Sequence, residues 1–580
     1  LEFLESLVPR LQAWRQWYSK YYAREVFKQG QPGPSSLFLQ NFKRGKIDWL
    51  TKVNRFANYR SKEIINHSFY LFLQQSDLSI PFQYRRPMIT WEACFRSAAK
   101  YDKEQPTIDS SAWNLSYNFV YKHFHPTMGN SRVVSRDEAL ADMNMQSSVG
   151  FPANLHFHSK NEFFQQTKRP DIIDDYWDVI GGANVDHIVP IWSSTGKDEL
   201  RNISKLQFFG AFADSIRTFT SSPIELSVAG NRMYVDQNQK FYDAAGSNGY
   251  WSFVGNTKFF RGWDNLYNRL NKHPNAFDLD ESEFDSSLFK KAMEGQRDLR
   301  WDFLDPIYKT PENRRRHLAI YDSIINTVIV LETGELIQKD TGNPSGSPNT
   351  IVDNTMILKR IFAYAFIVLY RKQFGADPTY DFFMNNVEAA LNGDDNTFTV
   401  SDLIVGWFNA TTIAAVWSSI GITTKTDCWE ARKLHEVTFL SHSFVFQDRT
   451  WLPQPDTQKV LCSLLYGSTL DDVRWHLMRA YALRIDSWPN VEARTIISQY
   501  INYLWRTERP ALVGSVEFAK GEFMSMSQIQ SLDKSDYELY LLYTCYENSN
   551  KDSSAELLDP NFFKKRNHDK LSFNYFRQFI

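Results

Sequence analysis

Between Ala389 and Val400 the chain reads AALNGDDNTFTV, two short strand-forming runs joined at Asn392-Gly393. Asn-Gly is a strong signal for a two-residue hairpin turn, because both central positions need a positive φ. The chain is therefore expected to build a hairpin whose tip presents Asp394 and Asp395 side by side. Adjacent carboxylates repel unless something positive holds them. Either the fold supplies a partner or the pair is left for a cation.

A second acidic group lies upstream in FDLDESEFDSSLF, with Asp278, Asp280, Glu281, Glu283 and Asp285. Mg2+ prefers oxygen ligands and usually takes one or two carboxylates plus substrate phosphates, so two strands each offering an Asp suit a pair of ions. Taken singly, each segment is also what a solvated acidic turn looks like. Between them stands Ser345 to Asn354, SGSPNTIVDN, a glycine turn that opens a helix. Thr350 and Asn354 are four residues apart and share a helix face, so a hydroxyl and an amide can reach one ligand edge, such as a ribose hydroxyl. Ser345 and Asn349 would equally serve as ordinary helix caps.

At 580 residues the chain is long enough for about four average domains or one enzyme of several lobes. Its 43% hydrophobic and 23% charged residues, with 25 Gly and 22 Pro, exclude a disordered or collagen-like chain. A net charge of -2 excludes a uniformly basic coat, so nucleic-acid contact has to come from local clusters. Cys94, Cys428, Cys462 and Cys545 form no CxxC pair, which points to a reducing compartment and away from a zinc ribbon. The chain begins at Leu1, and Glu2, Glu5 and Arg10 interrupt its first apolar residues. No signal peptide is expected there, and a fragment or a product cut from a longer polyprotein is. The uncharged stretch Leu403 to Thr424 reads as a buried amphipathic helix rather than a membrane span, and Ile361 to Tyr370 as a core helix.

The first 130 residues carry helical periodicity, and Asp186 to Tyr242 mixes strands and loops around Lys197, Arg201, Lys205 and Arg217. Ile320 to Lys339 reads as a hairpin turning at Thr333-Gly334, a helix starts near Pro348, and helical spacing dominates after Gln447. The class is mixed α+β.

DESEFDSSL, GNPSGSPNTIVDNT and NGDDN, in this order and spacing, resemble motifs A, B and C of the RNA-dependent RNA polymerases of positive-strand RNA viruses, with wording nearest the potyviruses and, less so, the astroviruses and picornaviruses. QSSVGFP (146–152) is similar to motif G, GKDELRNISK (196–205) with RTFTSSP from Arg217 to motif F, and GITTKTDCWEARKLHEVTFLSHSF (421–444) to motifs D and E. Motif F departs from the pattern by an apparent insertion between Lys205 and Arg217. The resemblance covers about half of the chain.

The resemblance implies a closed right hand with fingers, a palm of antiparallel sheet flanked by helices, and a helical thumb. Fingers with an N-terminal extension would span 1–275, palm motif A 276–300, a fingers insertion 301–340, palm motifs B to E 341–446, and the thumb 447–580. It implies transfer of nucleotides from triphosphates to an RNA 3′-hydroxyl with two Mg2+ or Mn2+ ions, held by Asp280 and Asp394 with support from Asp395. Lys197, Arg201, Lys205 and Arg217 would bind the triphosphate, and Asp285, Ser345, Thr350 and Asn354 the ribose. Lys425, fourteen residues before Phe439, would protonate the leaving pyrophosphate, with Lys433 as competitor. Ser147, Ser148 and Gly150 would guide the template, and Phe439, Leu440, Ser441 and His442 the primer strand.

A reverse transcriptase shares the acidic palm, but the Ser345 to Asn354 pattern and Asp285 argue against it. A non-enzymatic RNA-packaging protein would have no reason for this order of motifs. Implied partners are RNA template and nascent strand, nucleoside triphosphates, a protein primer and other viral replication proteins. The implied setting is the host cytoplasm at membrane-associated complexes, with the anchor supplied by other proteins. His123-Phe124-His125 and His156-Phe157-His158 lack zinc spacing. Arg314-Arg315-Arg316 and Lys564-Lys565-Arg566 read as RNA contacts or as solvated surface, and Trp192, Phe208 and Phe209 as core rather than base-stacking residues.

Overall fold

The expected acidic hairpin is present in the computed structural model, with strands Val387–Asn392 and Asp395–Val400 in register from Asp395 opposite Asn392 to Val400 opposite Val387. The structure describes residues 2–22, 43–45, 64–183, 188–206, 215–247, 249–332, 334–519 and 521–545. Thr333, Phe208, Phe209 and Lys564 to Arg566 lie outside the described residues.

The hairpin is the heart of a four-stranded antiparallel sheet. Strand Asn275–Glu281 pairs with Asp395–Val400, and Thr424–Lys425 pairs on its outer side. The register Asn396 opposite Leu279 brings the motif A strand to the hairpin tip, and Lys425 lies directly opposite Asp280. The 25-residue helix Thr350–Phe374 covers one face. Phe398 is the hinge of that packing, with ring centroids 5.3 Å from Phe277 and 5.1 Å from Phe362. The Leu403–Thr424 stretch is helical only over Ala410–Ser419, because Asn409 caps that helix through a capping box and the preceding residues turn. Its Trp417 indole donates to the Ile361 carbonyl at 2.9 Å, which binds it to the long helix.

A second, five-stranded sheet runs in the order Lys43–Gly45, Leu336–Gln338, Val328–Val330, Ile191–Gly196, Thr218–Ser221. Only Ile191–Gly196 with Val328–Val330 is parallel. The hairpin expected over Ile320 to Lys339 is thus real in its second half, while Pro311–Ile325 is helix. Trp192 is core, fully buried with its indole donating to Ser323.

The C-terminal part is helical, with Thr457–Tyr466, Val473–Asp486 and Val491–Thr507 around one apolar core. Phe69, Phe72 and Leu73 of helix His67–Gln75 belong to the same core. This segment, expected within the 1–275 fingers grouping, thus packs against the C-terminal helices. Arg86, 8% exposed, explains the docking: its guanidinium donates to the Tyr466 and Gly467 carbonyls and pairs with Asp198 at 2.7 Å. Among the described residues no helix is long and apolar enough to cross a membrane.

Candidate active site

The five acidic side chains of the motif A segment divide according to partner. Asp278 is tied to Arg432 and accepts from the Thr438 N–H at 3.0 Å. Glu281 is 2% exposed and accepts both hydrogen bonds from the Asn396 amide, at 3.1 Å each. Burial, then the charge of Asp394, raises its pKa well above the ordinary carboxyl range. Glu283 pairs with Lys103 at 3.1 Å. Asp280, exposed at the strand end, and Asp285 have no ion-pair partner within salt-bridge distance among the described residues.

The hairpin tip is shaped to leave its carboxylates toward the same space. Gly393 adopts φ 66°, and its N–H is held by the Thr355 hydroxyl at 2.8 Å. Asp394 is exposed at the turn, yet burial of its surroundings and the charges of Asp285 and Asp280 raise its pKa, while Arg217 lowers it. Asp395 is pushed up to about 7, by burial first and by Asp394 second. Its Oδ2 accepts the Leu440 N–H at 2.9 Å. Leu440 and Ser441 sit at φ 53° and 59°, unusual for residues other than glycine. Phe439 and His442 close this turn with two backbone bonds of 3.0 and 2.9 Å. Phe439 itself is 1% exposed, packed on Phe253 and Trp263. The Phe439 side chain anchors this turn from inside, while Ser441 is exposed and Leu440 half-buried.

On the helix side, Asn354 donates to Asp285 Oδ1 at 2.6 Å. Thr350 does not join them as expected: its hydroxyl bonds the Pro344 and Ser347 carbonyls at 2.9 and 2.8 Å, closing its own turn. The Ser345 hydroxyl accepts the Thr220 N–H at 3.3 Å, and a Cβ on Gly346 would collide with the Thr220 carbonyl. The glycine turn is thereby fastened to strand Thr218–Ser221, which follows Arg217. Asn349 starts the helix without a side-chain cap and instead accepts from Asn238 at 3.1 Å.

The basic group is unevenly committed. Arg217 is exposed and lies 3.6 Å from Glu199, and its carbonyl accepts the Lys197 N–H. Arg201 is half-buried and donates to the Ser215 carbonyl at 2.6 Å, and burial and Arg217 lower its pKa. Lys197 is half-buried and Lys205 exposed. Lys425 is exposed opposite Asp280, whereas Lys433 follows Arg432, which bridges Ala276 four residues back along the strand, roughly 13 Å away. In the motif G loop, Ser147 and Ser148 are both held by Lys160, which donates to the Ser148 carbonyl at 2.7 Å. Gly150, at φ 78°, passes so close to the Ser222 carbonyl that a side chain would not fit. Arg315 and Arg316 donate to the Gly181 and Trp177 carbonyls, and Arg314 lies over Trp301, so this run is used within the protein. His123 sits on a helix, bonded to Tyr380 and to the Trp251 N–H.

Reading the sequence did not find Asn343, Asn396, Lys103 or Arg86. Asn343 and Lys103 have partners more than ten residues away, and only the Asn directly before the PSG turn offered a local hint. Among the described residues no three His, Cys, Asp or Glu side chains close around one point. An ion that takes substrate phosphates as further ligands does not need them to.

A sheet of this order, with acids gathered at its central hairpin and the Asn354–Asp285 pair beside them, is the palm of a nucleotide polymerase. Residues 70–500 match the model of the family described as viral RNA-dependent RNA polymerase. The chain belongs to this family, whose members copy RNA templates into RNA and use divalent metal ions. It is 28% identical over 420 residues to genome polyprotein 1 of Barley mild mosaic virus, covering 70% of this chain and 17% of that polyprotein. With the genome polyprotein of Ryegrass mosaic virus it shares 25% identity over 516 residues, 84% of this chain and 15% of the polyprotein. The chain thus spans under a fifth of the length of these relatives. Among solved structures, a Sicinivirus 3Dpol RNA-dependent RNA polymerase superposes with a TM-score of 0.61 at 15% identity, covering 89% of this chain and 98% of that one, which establishes the right-hand fold.

Proposed function

We propose that this site joins ribonucleoside triphosphates to the 3′-hydroxyl of an RNA strand on an RNA template, through Asp280 and Asp394 as holders of two Mg2+ or Mn2+ ions. The observation that carries the reading is the sorting of the acids. Asp278, Glu281 and Glu283 are tied to Arg432, Asn396 and Lys103, whereas Asp280 has no ion-pair partner among the described residues, Asp285 is held by the neutral Asn354 amide, and both raise the pKa of Asp394. An oxygen-only donor set under mutual repulsion fits hard divalent cations. When bound, such ions activate the attacking hydroxyl and neutralise the pyrophosphate that leaves.

The chain's own residues then have separable tasks. Asp395, held by Leu440, supports the ligand set from behind. Arg217, with Lys197, Arg201 and Lys205, neutralises the triphosphate. Asp285 and Asn354 recognise the 2′-hydroxyl, which a deoxyribonucleotide lacks. Ser345 and Thr350 act by holding the turn that presents Asn354. Lys425, whose register partner is Asp280, protonates the leaving group in this reading. Ser147, Ser148 and Gly150 guide the template, and Leu440 and Ser441 meet the primer strand on the anchor of Phe439. A protein primer and other viral proteins are further partners in this reading. The latter would supply attachment to membranes in the host cytoplasm.

Incorporation of labelled ribonucleotides on a primed RNA template should require Mg2+ or Mn2+ and stop on chelation. Incorporation that persists in excess EDTA would sink the two-ion reading.

A further inference from the structure

Asn354 suits a ribose only if its amide points one way, and Asp285 on one side and Asn343 on the other settle that direction together. Asp285, as a carboxylate, can only accept hydrogen bonds. Its 2.6 Å contact with Asn354 therefore requires the amide nitrogen on that side and turns Asn354 Oδ1 to the other. There Asn343 Nδ2 donates to it at 3.0 Å, with the Thr350 carbonyl as a second acceptor at 3.5 Å. Asn343 is fully buried, and its backbone N–H is bound to the Asp285 carbonyl at 2.8 Å. Its own Oδ1 has no hydrogen-bond partner among the described residues. A buried oxygen without a donor is costly. The orientation persists because reversing it would set two amide oxygens against each other. Donor polarity thus runs one way, from Asn343 to Asn354 to Asp285.

We propose that Asn343 is a specificity-determining positioning residue, which fixes the Asn354 amide so that Asp285 and Asn354 present one acceptor and one donor to a ribose 2′-hydroxyl. This rests on the ribose reading given above. A hydroxyl both donates and accepts. The remaining N–H of Asn354 serves its oxygen, and Asp285 Oδ2 serves its hydrogen. With the amide reversed the pair would offer acceptors alone, so a ribonucleotide would lose a bond and a deoxyribonucleotide would lose nothing.

Asn343→Asp is nearly isosteric and replaces the donor with an acceptor. The test compares kcat/KM for ATP and 2′-dATP on a primed RNA template for the wild type, N343D and N354A, with thermal unfolding of each. N343D should lower the ribonucleotide preference about tenfold, the order expected for one hydrogen bond, through the ATP value, with 2′-dATP little changed. A merely structural role would lower both substrates together and leave the ratio unmoved, which would overturn the proposal. If N354A shifts the ratio and N343D does not, Asn343 loses its role and the ribose reading stands. If neither shifts it, the ribose reading fails and takes this proposal with it. Should N343D not fold, N343L removes the donor without adding charge, and an unchanged ratio there is equally decisive against it.

Discussion

Asp353 and Asn354 are neighbours on one helix, about 100° apart around its axis, and they face two different kinds of chemistry. Asp353 points into the protein, 0% exposed, where Arg300 pairs with it at 2.8 Å and Tyr321 and Gln296 each donate at 2.8 Å. Asn354 points to Asp285 and the hairpin tip, where the acids have each other for company. An acid that holds the fold is given every partner it can use. The acids of the site crowd one another instead, and burial with the neighbouring carboxylates raises the pKa of Asp394 and Asp395.

This contrast can be broken at either end. Asp353→Ala should lower stability by about 3–5 kcal/mol, since it strands the buried Arg300 guanidinium. Asp394→Ala should leave the unfolding midpoint unchanged or raise it by relieving repulsion. Denaturant unfolding of the two proteins side by side checks the pair.

Glu225 is an intermediate case, a 1% exposed acid that accepts from Tyr18 through one oxygen and has no partner on the other among the described residues. Burial pushes it from 4.5 up to about 8. The folded state therefore keeps a proton that the unfolded chain releases, and stability is full below pH of about 4.5 and falls as pH rises to about 8. Glu225→Gln should flatten that decline and stabilise the protein by up to a few kcal/mol at pH 8.5. Melting curves at pH 6 and 8.5 measure it, and parallel declines in both proteins would remove Glu225 as the cause.

Lys425→Met should lower kcat roughly 100-fold, about 2.7 kcal/mol, with KM for the nucleotide little changed, as general acids of this kind contribute. The same change at Lys433 should matter much less. Reversed results in single-turnover assays would move the acid role to Lys433. The smallest effect is expected for Asn354→Ala, about tenfold in the preference for ribonucleotides over deoxyribonucleotides.

Local chemistry made the hairpin legible in the sequence, because Asn392-Gly393 dictates the turn and period-2 runs dictate its strands. The order of the acidic, glycine and basic segments carried the rest of the palm. What escaped depends on partners distant in the chain. Nothing near Asn396 announces that it will clamp Glu281, 115 residues away, and nothing near Arg86 announces carbonyls 380 residues on. The burial of Phe439 and the turning inward of the Thr350 hydroxyl were likewise set by neighbours that periodicity does not show. The Leu403–Thr424 stretch looked like one long helix because its apolar residues are continuous, while the Asn409 cap that shortens it is a single polar residue.

The central claim is that Asp394 is left unpaired for metal and not for RNA. Its most direct test is Mg2+-dependent ribonucleotide incorporation by the wild type and Asp394→Ala on the same primed RNA, with RNA affinity measured in parallel. The account predicts loss of incorporation by at least about 1,000-fold with affinity for RNA kept within a few-fold. Equal loss of both, or incorporation that survives the substitution, would contradict it.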